Sequence, residues 1–167
     1  MAAGPPAVAS TAPRSTSPSD MGQLHAPLPR SLLPRRVNAQ LRALEGSGKS
    51  DQDPITALRE RVEAIWKIVA QAASETALDG SGHGTRALLA RRELVQRATC
   101  TLSGVVRRGV ESGAFRPRCA SWATHRLPFA IVSGACLHWV FGLASGPSLR
   151  AGTAIEAALE VLLEEEP

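Results

Sequence analysis

From residue 53 onward the chain alternates apolar and polar positions with a helical period. Ile55, Leu58, Val62, Ile65, Val69 and Ala72 recur at spacings of 3, 4, 3, 4 and 3, which puts all six on one stripe. Arg59, Glu63 and Lys67 fall on the wet side at the i,i+4 spacing that lets unlike charges pair. Asp53 supplies a side-chain acceptor for the free N–H groups of a first turn, and Pro54 occupies the first helical position, where its missing donor costs nothing. A helix is therefore predicted to end near Ala77, followed by the Gly-rich loop DGSGHG, Asp79 to Gly84, with His83 a solvated loop residue. The next helix is predicted from Thr85 to Ser112. There Leu88, Val95, Leu102 and Gly109 recur at intervals of seven, with Arg92, Thr99 and Val106 in the alternating places, so the inner stripe is partly polar. Residues 118–144 and 148–164 form two further helical segments, the first carrying Pro128 as a kink or a restart. A short helix, Val37 to Leu44, precedes them all.

The stretch GVESGAFRP, residues 109–117, predicts an abrupt corner. Gly113 enters the left-handed conformation that ends a helix, Phe115 folds back over the last turn, and Pro117 forbids resumption.

Composition supports an all-α fold, a helical bundle with a disordered N-terminal arm. Of the 167 residues 44% are hydrophobic, enough for a core, while aromatics make up only 4% and Tyr is absent. Residues 1–52 carry six basic and three acidic side chains, and residues 53–167 carry thirteen and twelve. The body is thus nearly neutral, and a pI near 9.6 does not indicate a nucleic-acid surface. The odd set Cys100, Cys119 and Cys136 suits a reducing, cytoplasmic setting better than a disulfide framework. Cys119, His125, Cys136 and His138 have spacings that match no common zinc pattern, so no metal and no cofactor are expected. The apolar stretch from Phe129 to Ala144 is broken by Ser133, Gly134, His138 and Gly142, which argues against a membrane span.

Two domain-level units are expected: a Pro/Ser/Ala-rich arm over residues 1–34 and a helical domain over 35–167. Residues 1–34 hold seven of the twelve prolines and one acidic residue, and show no usable apolar period. Pro27, Pro29 and Pro34 also cut the apolar face that an organelle transit peptide needs. GSGKS, Gly46 to Ser50, looks like the end of a phosphate-binding loop, but Ala43 stands where that motif needs its first glycine. The residues before it read as helix rather than strand, and the next helix starts only at Pro54, so a flexible connection is expected.

The last two helices carry more apolar surface than one packed face requires. Ala130, Gly134, Ala151, Ala154 and Ala158 would let such helices approach closely, and surplus apolar surface is hidden by a second copy, since a two-fold dimer uses one patch twice. A homodimer is the expected partner, with Ala130, Gly134, Leu137, Phe141, Ile155, Leu159 and Leu162 at the interface.

The order of these segments, "DPITALRERVEAI", then "RRELVQRATCTLSGVVRRGVESGAFRP", then "AIVSGACLHWV" and a final Ala-Leu helix, resembles the C-terminal ligand-binding and dimerisation domain of TetR-family bacterial transcription regulators. In that family a G-x-x-x-G-x-[FL]-R-P turn joins two regulatory-domain helices, and Gly109, Gly113, Phe115, Arg116 and Pro117 match it over a resemblance spanning about residues 35 to 164. The resemblance implies a cytoplasmic, homodimeric regulator fragment that binds a small apolar effector. Its pocket would be lined by Trp66, Val69, Leu102, Val106, Trp122, Leu127, Ile131 and His138, with His138 either orienting a ligand or satisfied inside the core. The family's DNA-reading helix-turn-helix is missing or degenerate here. QLHAPLPRSLL, residues 23–33, only faintly resembles its closing stretch, and Pro27 and Pro29 break it, so DNA binding is expected only from an intact reader elsewhere. No G-x-S-x-G and no inner pair of carboxylates point to an enzyme. The alternative is a helical homodimeric interaction module with neither ligand nor DNA.

Overall fold

In the computed structural model, which describes residues 31–47, 52–78, 84–140 and 147–163, five helices follow one another, and no strand occurs among the described residues. They are α1 (Arg35–Gly46), α2 (Pro54–Leu78), α3 (Thr85–Glu111), α4 (Ala120–Val140) and α5 (Pro147–Leu162). The expected arm up to Arg30, Lys49 and Ser50 of the glycine-rich connection, residues 79–83 and Phe141 lie outside the described residues. The all-α architecture is the one expected from the sequence, but the body reaches further back than residue 35. Leu33 is buried in the core, and Ser31 Oγ and the Leu32 amide donate to the Glu93 carboxylate at 2.5 and 2.9 Å, so residues 31–34 belong to the body.

Asp53 caps α2 as its sequence position requires. Its carboxylate accepts the Thr56 amide at 2.9 Å and the Thr56 hydroxyl at 2.8 Å, and those bonds hold it below the ordinary carboxylate range. Leu58, Val62, Ile65, Val69 and Ala72 are buried, as are Ala57, Arg61, Trp66 and Ile68 on the adjoining arc. That width follows from position: α2 packs against α1, α3, α4 and α5 and forms the axis of the bundle. The expected pairs of Glu63 with Arg59 or Lys67 are not among the ion pairs of the described residues.

The inner face of α3 differs from the sevenfold stripe. Ala87, Leu94, Ala98, Leu102, Val105, Val106 and Gly109 are buried, whereas Leu88 is 61% exposed and Val95 only partly covered. A straight helix drifts by roughly 20° per seven residues, so a strict heptad carries its first member off the packed face.

α1 is held to α3 by a polar clamp. Arg97 grips Glu45 with two charge-assisted hydrogen bonds of 2.8 and 2.9 Å and donates to Asn38 Oδ1 at 2.7 Å, with Glu93 one turn back along α3 at 3.5 Å. Val37 and Leu41 seal the apolar side of α1 beneath it.

The corner after α3 forms through four backbone hydrogen bonds, one from the Ser112 hydroxyl to Gly109 O at 3.1 Å, and one ring. Gly113 adopts φ +75°, the Ser112 amide donates to Arg108 O, and the Gly113 amide donates to Val110 O. The Phe115 amide reaches back to Gly109 O at 2.9 Å, and its ring lies so close on Gly109 that a Cβ there would overlap it. The Arg116 amide then donates to Leu162 O at 2.7 Å, satisfying a carbonyl of the last turn of α5. In α4, Pro128 sits fully buried inside a continuous helix rather than at a restart.

Two predictions follow from these contacts. Gly109→Ala, which in an exposed helix would stabilise, is expected to cost about 3 kcal/mol in urea unfolding, more than the roughly 1 kcal/mol of left-handed strain at Gly113→Ala. Glu45 titrates below its ordinary value, mainly through its hydrogen bond to Arg97. The clamp's contribution is therefore complete above the ordinary carboxylate range and is lost as pH falls through the lowered value. Arg97→Met should cost about 1 kcal/mol at neutral pH and flatten that acid-side loss of stability.

Candidate functional site

Seven of the eight expected pocket residues are buried in the general core of the bundle. Trp66 and Val69 on α2, Leu102 and Val106 on α3, and Leu127, Ile131 and His138 on α4 are all buried, and the six apolar ones belong to one continuous core cluster. The indole of Trp66 and the imidazole of His138 lie with ring centroids 5.6 Å apart and planes tilted by 44°, a favourable geometry for two buried rings. Trp66 Nε1 on α2 and Thr99 Oγ1 on α3 are shielded from solvent without a hydrogen-bond partner among the described residues. Buried polar atoms are nearly always bonded, so these two are positions among the described residues where polar chemistry is unspent.

Trp122 is the exception. It is 45% exposed on the outer side of α4, because its position shares a helical stripe with Phe129 and Leu137 rather than with Leu127 and Ile131. Phe129 and Leu137 are 51% and 54% exposed, Ala130 and Gly134 are exposed beside them, and a Cβ added at Gly134 would meet nothing. The inward side of α4 is meanwhile complete with Ala123, Leu127, Ile131, Val132, Ala135 and His138. α4 is thus apolar on two sides and packed on one.

The terminal helix corrects a second expectation. Ile155, Leu159 and Leu162, assigned to an interface between copies, are buried within the protomer, where α5 lies along α2. Ala151 and Ala158 are buried in the same packing. Each terminal helix leans more on the inner helices than on the other, so the small residues of α4 and α5 do not form a shared seam. The surface side of α5 carries Thr153, Glu156, Ala157 and Glu160, all exposed.

Burial pushes the Cys136 thiol above its ordinary range, partly offset by Arg91, and so keeps it protonated and poorly nucleophilic. Cys100 and Cys119 are exposed. No group of three or more His, Cys, Asp and Glu side chains is placed to hold a metal ion among the described residues. Among them, no helix is long and apolar enough to cross a membrane. A cleft of about 240 Å³ opens between the start of α2 and the end of α3, and none of the expected pocket residues lines it.

No family model, curated protein or solved structure matches the chain.

The unspent hydroxyl of Thr99 yields a prediction with an unusual sign. Thr99→Val keeps the shape and removes a buried polar atom that has no partner, so urea unfolding should show a gain of about 1 kcal/mol. A loss of that size would reveal that the hydroxyl is bonded in the folded protein.

Proposed function

We propose that this chain is the self-associating, effector-sensing domain of a TetR-like transcription regulator, non-catalytic, and paired as a two-fold homodimer through the outer face of α4. The observation that carries the reading is the stripe of Trp122, Phe129 and Leu137, three large apolar side chains each about half exposed on one helix. Isolated exposed apolar residues are ordinary; a row of them flanked by Ala130 and Gly134 is a surface to which another helix can come close.

Charge favours a second copy as the occupant. α4 contains no Asp or Glu and exposes His125 and Arg126, whereas the surface side of α5 presents Glu156 and Glu160 beside Ala157. A two-fold arrangement that lays α4 of one protomer across α5 of its partner brings these opposite charges together twice. In this reading α5 is buried at its apolar side by its own protomer and contributes its polar side to the pair.

The effector belongs to the Trp66 layer. An apolar molecule with one hydrogen-bond acceptor would satisfy the buried Trp66 N–H, and it would shift α4, whose Ile131 and His138 belong to the same layer. The indole N–H without an acceptor favours this sensor over a module with no ligand.

Sedimentation equilibrium of the full chain tests the pairing. The wild-type chain should be a dimer, and Leu137→Glu, on a surface position that leaves the core intact, should raise the dimer dissociation constant by roughly thirtyfold or more while the helical circular dichroism is retained. A wild-type chain that stays monomeric and soluble as concentration rises, or a Leu137→Glu chain that dimerises as tightly, overturns the reading.

A further inference from the structure

The cleft at the start of α2 holds chemistry that dimerisation and the Trp66 layer do not use. Gln52, Asp53 and Ala57 form one wall, and Val105, Arg108 and Ser112 form the other. Arg61 does not itself line the cleft, but it follows Pro54 by seven residues and Ala57 by four and so stands one turn beyond the lining on the same side of α2. It is only 6% exposed. Its guanidinium carries five N–H donors, yet the hydrogen bond it makes is a long one, 3.4 Å from Nη2 to the Ser47 hydroxyl. Arg61 has no carboxylate within ion-pairing distance among the described residues.

Its electrostatic surroundings are unfavourable. Burial disfavours the charge on Arg61, and Arg108 opposes it further, with exposed Glu60 giving partial relief. Glu60 itself accepts a hydrogen bond from Gln52 Nε2 at 2.7 Å. The nearest acid on the cleft wall, Asp53, is committed to Thr56 and to the first turn of α2. With the helix N-terminus already capped, the two arginines rather than the backbone amides are the groups left to meet a negative charge.

We propose that this cleft is a binding site for a phosphate group, held between Arg61 and Arg108. A tetrahedral oxyanion fits this pair because two planar guanidinium forks offer several N–H groups to several oxygens, whereas the Ser47 and Ser112 hydroxyls already donate to Leu44 O and Gly109 O. The volume of about 240 Å³ accommodates a phosphate with a small substituent. An anion placed there replaces the repulsion between the arginines with two attractions. This assignment is independent of the pairing through α4.

Inorganic phosphate is the probe, with sodium chloride and sodium acetate at matched ionic strength as controls, read by thermal unfolding of the full chain. At ten times its dissociation constant, phosphate should raise the melting temperature by about 3 °C or more over both controls. Arg108→Ala, on an exposed side chain, should fold normally and lose most of that rise. Arg61→Met should unfold no earlier than wild type in chloride, since an uncompensated buried charge is gone, and should show no phosphate response. A wild-type chain that responds equally to phosphate, acetate and chloride, or an Arg108→Ala chain that keeps the full phosphate response, overturns the proposal.

Discussion

The seat of the Phe115 ring on Gly109 is the constraint from which the arrangement of the last three helices follows. The ring takes the space of a side chain that Gly109 lacks, and the Phe115 amide is bonded to the Gly109 carbonyl, so chain and ring are fixed to the same turn. Gly113, in the left-handed region, supplies the reversal that brings the ring back. One residue further on, the Arg116 amide holds the end of α5. The path into α4 and the end of α5 are therefore set from one turn of α3. A side chain at 109 would displace a fully buried aromatic ring, and the burial of such a ring is among the larger single contributions to a core of this size, on the order of 3 kcal/mol.

With that corner fixed, the two terminal helices meet different fates. α5 lies along α2 and spends its leucines and isoleucine there, while α4 is backed by α2 and α3 and keeps a second apolar side facing out. In the proposed pair, completing the burial of Trp122, Phe129 and Leu137 in both protomers would be worth about half of the roughly 1.5–3 kcal/mol that each full burial gives, counted twice by symmetry. That sum is comparable with the cost of association itself, about 4–15 kcal/mol, so the stripe by itself supports only modest affinity. In the proposed pair, opposite charges on α4 and α5 would fix register and orientation rather than supply most of the energy.

Local chemistry was legible in the sequence, and long-range allocation was not. The corner, the Asp53 cap, the start of α2 and its main stripe depend on residues within a turn or two of one another, and they stand where the sequence places them. The face of α3 was misjudged because a seven-residue interval only approximates a helical face; over three such intervals the drift moves Leu88 away from the side that holds Gly109. The surplus on the terminal helices was visible as composition, but composition does not say which helix the central one consumes, and so Ile155, Leu159 and Leu162 were assigned outward. Trp122 was misplaced for a related reason: α4 is apolar nearly all round, and no polar stripe marks its outside. Arg61 escaped notice although its neighbours on the helix, Ala57 four residues before and Ile68 seven after, are both apolar, which is the signal for a charge on an inner face.

The corner and the cleft share the last turns of α3. Val105, Arg108 and Ser112 line the cleft, and Gly109, which carries Phe115, stands between the latter two on the adjacent face of the same turn. A buried guanidinium is costly without a counter-charge, and one 3.4 Å bond to the Ser47 hydroxyl offsets little of that cost. The imbalance is concentrated where α2 begins and α3 ends, on the turn that directs the chain into α4.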